Sequence, residues 1–248
     1  MNIDLNADVA EGCGQDDALM RIVSSANVCC GLHAGSYAEM LATLQLAKAN
    51  GVRVGAHPSF FDRDNFGRTQ QTLSEAGYRA LMAYQLGATK ALCDLVGVSL
   101  DYVKPHGALY NQAAADATLS DIIVSEIKRF DPSLKVMGLS GGQLVAAAKR
   151  HGMDAISEVF ADRNYEKDGS LVSRSKDNAL ITDTDAAVRH VLQMITEGTV
   201  TSVCGESVSV EADSICLHGD GAHAIAFAKE IKKQLQDKGI NITAQATA

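Results

Sequence analysis

No stretch of this 248-residue chain approaches the roughly 18 consecutive apolar residues that a membrane-spanning helix needs. Its start, Met1-Asn2-Ile3-Asp4, has neither a basic leader region nor an apolar one, so a cytoplasmic location is expected. A positive surplus is missing as well: 22 Lys and Arg face 30 Asp and Glu, a net charge of −8. That balance argues against nucleic acid and against anionic membrane as partners. None of the six cysteines (Cys13, Cys29, Cys30, Cys93, Cys204, Cys216) forms a CxxC pair. Reduced thiols are therefore expected, with Cys93 and Cys216 acting as small core hydrophobes. There is no Walker A sequence, so any nucleotide is bound without a P-loop. No HExxH spacing occurs, so any metal must draw its ligands from separate strands. No Pro/Gly/Ser-rich linker divides the chain, and residues 1–248 read as one domain.

What the chain does have is alternation. Asp4, Asn6 and Asp8 are interleaved with Ile3, Leu5, Ala7 and Val9, the period-2 pattern of a strand with one apolar face. Further strands are predicted at 26–30, 52–56, 100–104, 135–139, 155–161 and 215–218. Helical patterns lie between them. One over 36–50 opens with a Ser36…Glu39 capping box, and one ending near Val96 opens with Thr72…Glu75. Others cover 113–130, the stretch from Gly142 to about His151, a segment capped by Thr182…Asp185 that ends at Gly198, and 222–237. About seven β-then-α units result, which predicts an α/β fold with a mainly parallel sheet. Periodicity alone does not choose between a barrel and an open doubly wound sheet. Polar groups at nearly every strand end favour the barrel, whose strand ends share one mouth.

Those strand ends carry the candidate chemistry. His33, His57, His106 and His218 each follow a strand, and Lys104 shares a face with His106. Asp4, Asn6, Asp8, His33, His57, Lys104, His106, Asp162, His218 and Asp220 are expected around one cavity. Asp8, Lys104, His106 and Asp162 are the candidate catalytic groups. His151 and His190 sit in helical patterns and read as structural or exposed; His223 opens the last helix. A transition metal is compatible with Asp8, His33, His57 and His218. Gly141-Gly142 and Gly219-Asp220-Gly221 each join a strand to a helix, where backbone N–H groups can meet an anion. Asn6, Arg68, Arg163, Arg174, Gly219 and Asp220 are candidates for holding a ligand; the three arginines suit a carboxylate or phosphate. The irregular stretches 57–72 and 162–181 are expected to border the same cavity as lids.

Several stretches together resemble the LamB/YcsF family: DLNADVAEG (4–12), SANVCCGLHAG (25–35), GAHPS (55–59), NFGR (65–68), KPHGALYN (104–111), EVFADRNY (158–165) and CLHGD (216–220). They span the chain in the family's order. The resemblance implies a single (β/α) barrel of seven parallel strands, similar to polysaccharide deacetylases and some glycoside hydrolases. It also implies ATP-dependent opening of 5-oxo-L-proline to L-glutamate, with ATP expected as its Mg²⁺ form and with partner subunits B and C. This chain departs from the pattern locally. The segment after Glu11 is short, Ser36 replaces the acid of HAGD, and Ser59 replaces the glycine of HPG. Two other readings stay open: a metal-dependent deacetylase or amidohydrolase that needs no ATP, and a non-catalytic regulatory subunit that binds a small acid. A homo-oligomer is compatible with each.

Overall fold

Seven parallel strands close on themselves. The computed structural model describes residues 1–217 and 224–244. β1 (Asn2–Val9), β2 (Ser25–Cys29), β3 (Arg53–His57), β4 (Leu100–Val103), β5 (Lys135–Leu139), β6 (Ala155–Phe160) and a later strand, Ser214–Leu217, pair in that order. The later strand then returns to β1, with Asn6 opposite Cys216, while β1 pairs on its other edge with β2, Asp8 opposite Asn27. Closure removes the open-sheet alternative. Between β6 and that last barrel strand a short antiparallel hairpin intervenes, β7 (Thr199–Thr201) with β8 (Ser207–Ser209). The closing strand is therefore β9, and a two-residue β10 (Asn241–Ile242) adds to the outside of β1. The alternation pattern did not signal the hairpin or β10, which are three residues or fewer per strand.

The helices follow the strands: α1 (Asp16–Met20), α2 (Tyr37–Asn50), α3 (Glu75–Val96), α4 (Gly107–Ala115), α5 (Ala117–Phe130), α6 (Gln143–Arg150), α7 (Thr184–Glu197) and α8 (Ala224–Asp237). Ser36 caps α2 as expected, accepting the Glu39 N–H at 3.3 Å and donating to its carboxylate at 2.9 Å. Two other caps sit elsewhere than expected. Ser74, not Thr72, accepts the Gly77 N–H at the start of α3, and Asp183, not Thr182, accepts the Ala186 N–H at the start of α7. The helix expected over 113–130 is two helices. Asp116 breaks it by leaving helical geometry and accepting the N–H groups of Thr118 and Leu119. No helix among the described residues is long and apolar enough to cross a membrane. All six cysteines are free thiols.

The barrel is polar inside. On β1 the apolar residues Ile3, Leu5, Ala7 and Val9 are buried in the hydrophobic core, and Asp4 and Asn6 between them are buried too. Asp4 accepts from Ser24, Ser25 and Ser214 at 2.6 to 2.7 Å and pairs with Arg53 at 2.9 Å. Asn6 donates to Ser214 at 2.8 Å and accepts from Asn27 at 2.7 Å, whose own carbonyl accepts the Tyr102 hydroxyl at 2.5 Å. Groups on β1, β2, β3, β4 and β9 can meet this way only along the barrel axis. A buried carboxylate needs its oxygens satisfied, and Asp4 meets that condition. Gly55 makes the room. A Cβ there would lie 2.2 Å from the Tyr102 ring.

Candidate active site

The strand C-terminal ends open into a cavity of about 720 Å³. Asp8, Glu11, His57, Lys104 and His106 line one side, Ser140 to Gln143 and Arg163 another. Both long loops supply wall: Phe66, Arg68 and Gln70 from the first, Asp168 to Ser175 from the second.

At the floor, four groups converge. One ligand atom each from Asp8, Glu11, His57 and His106 lie within 4.8 Å of one another. The imidazoles are fixed by their outer nitrogens. His57 Nδ1 lies 2.8 Å from the Lys104 carbonyl oxygen, and His106 Nε2 lies 2.9 Å from that of Phe66. A carbonyl only accepts, so each of these nitrogens carries its hydrogen. The inner nitrogens, His57 Nε2 and His106 Nδ1, then face each other at 2.9 Å. In two neutral rings these are opposed lone pairs, and a proton or a cation between them removes the repulsion. Asp8 lies 3.3 Å from the His57 nitrogen and Glu11 3.5 Å from that of His106. Burial, then the neighbouring His57 and His33, hold His106 well below the usual imidazole range. His33 stacks on His106 at 3.8 Å, nearly parallel, and reaches Glu11 at 2.9 Å. Burial first, then His57, lowers its pKa to about 3, so it stays neutral.

Lys104 lies beneath this cluster, its side chain 3 % exposed. Its ammonium is 2.6 Å from Glu158 and 3.2 Å from Asp8, and it donates to Asn6 at 3.2 Å. Burial alone would lower its pKa. Asp8, Cys216 and Glu158 outweigh that and raise it well above the ordinary lysine value. Burial likewise pushes the Asp8 carboxyl up, but His57 and Lys104 together hold it well below the usual carboxylate range. Tyr110 donates to the other Glu158 oxygen at 2.7 Å. The lysine is thus a charged, paired group at neutral pH.

Two glycines explain why NFGR and KPHG act together. Gly67 (φ +68) packs so closely that a Cβ would lie 2.9 Å from both His106 and His33. A Cβ on Gly107 (φ +56) would lie 2.4 Å from the Gly67 carbonyl oxygen, which accepts the Ala108 N–H. The first lid is stitched to the start of α4 through these two positions.

The expected residues divide by depth. Asp8, His57, Lys104, His106, Arg68, Arg163 and Arg174 line the cavity. Asn6 lies a layer deeper, bonded to Lys104, and Asp4 deeper still, because successive inward positions of one strand descend the barrel. His33 sits behind the floor, and Asp162 is not among the lining residues; its backbone carbonyl accepts Ile181 N–H, and its charge bears on Arg163. The expectation of one ring of ten cavity residues is corrected accordingly. His218, Gly219 and Asp220 lie outside the described residues, as do Gly221 and His223. Glu11 was not among the expected site residues, and counting by twos assigns it to the wrong face. Ala10 adopts a positive φ of 61° directly after β1, which breaks the alternation and turns Glu11 to the mouth. Its position at the end of DLNADVAEG was the available signal.

The chain is a closed seven-stranded parallel β/α barrel with a carboxylate–imidazole cluster at the C-terminal ends of its strands. The chain belongs to the LamB/YcsF family, whose sequence model matches residues 3–248. A protein from Histophilus somni (strain 129Pt), named as the A subunit of 5-oxoprolinase, is 57% identical over 241 residues, covering 97% of this chain and 98% of that one. One of the same name from Neisseria meningitidis serogroup C (strain 053442) is 53% identical over 242 residues, covering 98% and 99%. A crystal structure of a lactam utilization protein from Thermus thermophilus superposes with a TM-score of 0.92 at 39% identity, covering 99% of this chain and 100% of that one. The T48 deacetylase solved with its substrate shares the fold alone, with a TM-score of 0.52 at 14% identity over 98% of this chain and 88% of that one.

Proposed function

We propose that this chain is the A subunit of an ATP-dependent 5-oxoprolinase, which opens 5-oxo-L-proline to L-glutamate while ATP becomes ADP and phosphate. The observation that carries the reading is the 57% identity, over 97% of the chain, to a protein named as the A subunit of 5-oxoprolinase. Subunits B and C are the partners in this reading, and ATP is bound with Mg²⁺.

The chemistry explains the need for ATP. A lactam carbonyl is a stabilised amide and a poor electrophile. Transfer of the terminal phosphoryl group to its oxygen releases ADP and makes the carbon electrophilic. Water attacks that carbon, the C–N bond breaks, and the nitrogen leaves with a proton. A second water hydrolyses the resulting acyl phosphate. Within this scheme Arg68 holds the substrate carboxylate from the rim, its guanidinium steadied 5.1 Å over the Phe66 ring. The facing nitrogens of His57 and His106 take the proton of the attacking water and return it to the departing nitrogen. Lys104 keeps Asp8 ionised beside them. The donor set of two imidazoles and two carboxylates also fits a divalent transition ion. Asp8, Glu11, His57 and His106 would hold it, and it would supply Lewis acidity to a bound oxygen.

Glutamate release from 5-oxo-L-proline is the decisive assay, run with and without ATP and with and without subunits B and C. Release is expected only with ATP. Equal release without nucleotide would favour the amidohydrolase reading, and no release by any combination, with binding of the lactam intact, would favour a regulatory subunit.

A further inference from the structure

The cavity has a second chemically distinct corner, away from the imidazoles. β5 pairs with β6, Leu139 opposite Glu158, so the segments after the two strands emerge side by side at the mouth. After β5 the chain turns through Gly141 (φ +76) and Gly142 into α6. Gly142 is the cap of that helix and offers no side-chain acceptor to its first N–H groups. A helix start without such an acceptor carries unsatisfied donors and a partial positive charge.

Beyond β6 comes Arg163, only 6 % exposed. Its guanidinium donates one hydrogen bond, from Nη2 to the Val172 carbonyl at 2.6 Å. Its Nε is buried and has no hydrogen-bond partner among the described residues. Burial, then the charge of Arg174, lowers its pKa to about 10, a sign that the cation is held at a cost. The charge of the adjacent Asp162 offsets part of that cost, but the buried Nε–H still lacks an acceptor. Arg163, Gly141, Gly142, Gln143 and Arg174 all line the same cavity.

We propose that the α6 N-terminus and Arg163 form a phosphate subsite that receives the phosphoryl group of the reaction. The orphaned Nε of a buried guanidinium calls for an oxygen acceptor inside the cavity, and a phosphoryl group presents several. Donors arriving from a helix end and from a guanidinium also suit a tetrahedral oxyanion. The source of the phosphate rests on the reading of the chain as an ATP-dependent lactam hydrolase; the subsite itself does not.

Calorimetry on the full chain tests this with three probes: inorganic phosphate, a non-hydrolysable ATP analogue and 5-oxo-L-proline. Wild type is expected to bind inorganic phosphate, and Arg163→Met and Gln143→Glu are each expected to weaken it at least tenfold while lactam affinity holds. Without phosphate, Arg163→Met is expected to melt no lower than wild type, since it removes a buried charge with an unsatisfied Nε–H. Competition between the analogue and phosphate would assign the corner to the nucleotide; phosphate binding without competition would assign it to the phosphorylated substrate or product. Either result supports the subsite. Phosphate affinity unchanged in both variants, or loss of lactam rather than phosphate in Arg163→Met, would overturn it. Absence of phosphate binding by wild type overturns the subsite but leaves glutamate release intact as a separate test of the function.

Discussion

Lys104 shows how one residue serves fold and chemistry at once. Its ammonium neutralises two carboxylates that would otherwise repel each other in a buried place, at 2.6 Å from Glu158 and 3.2 Å from Asp8. Removing one member of a buried pair costs about 3–5 kcal/mol, because the survivor keeps its desolvation penalty. Lys104→Met is therefore expected to lower stability by that amount in urea denaturation. Adding Glu158→Gln should recover much of the loss, since one orphaned charge disappears. Turnover per folded molecule should stay down roughly a hundredfold or more in both variants if the charge acts in the transition state. Recovery of turnover along with stability would reduce Lys104 to a folding residue.

At the scale of elements, β3 and β4 touch through Gly55 and Tyr102. An added methyl at Gly55 would collide with ring atoms at 2.2 to 2.6 Å, and that ring is tied by its hydroxyl to Asn27. Overpacking of this kind costs about 1–3 kcal/mol, so Gly55→Ala should shift the urea midpoint downward with little change in slope. An unchanged midpoint would mean that the strands can part more easily than their packing indicates. On α7, His190 has a buried Nε2 without a partner, and burial lowers its pKa below the ordinary 6.5. The folded state thus keeps the ring neutral while the unfolded chain takes up a proton below that value. This contribution is complete above pH 6.5 and is lost as pH falls beneath it. One proton corresponds to at most about 1.4 kcal/mol per pH unit. His190→Gln should lose that part of the slope between about pH 6.5 and 5, measured as the difference from wild type; identical slopes would refute the assignment.

The whole molecule is organised around a polar axis inside an apolar sleeve. Barrels of this kind are usually filled by branched apolar residues, whereas here Asp4, Asn6, Asn27, Tyr102 and Lys104 form connected layers. Such a network specifies one arrangement when every member is satisfied and fails when one is not. Arg53→Met removes the counter-charge 2.9 Å from Asp4 and should cost about 3–5 kcal/mol, read by chemical denaturation. Because neither Arg53 nor Asp4 lines the cavity, turnover per folded molecule should change less than about twofold. A large fall in turnover with the fold intact would show that the axis transmits its geometry to the mouth.

Much of this was legible in the linear order of residues. Alternation on β1 announced a strand with a polar face, Ser36 and Glu39 announced a helix start, and KPHGALYN and EVFADRNY carried the family likeness. These are local signals, set by backbone periodicity and by the reach of a side chain over three or four residues. The order also brought Asp8, His57, Lys104 and His106 forward, because strands in a parallel α/β fold release their ends on one side. Periodicity did not choose between a closed and an open sheet; the polar strand ends favoured the barrel and the family likeness implied it. The pairing of β9 with β1 is what turns a polar face into an interior. Depth was beyond the linear order: Asn6 and Asp8 look alike in sequence, yet one lies beneath Lys104 and the other at the cavity floor. Glu11 reached the site through a single positive φ at Ala10, and Arg163 became a buried cation with an orphaned Nε only once the loop after β6 folded over it. Distances between residues far apart in the chain are properties of packing, and packing alone decided which charges found partners.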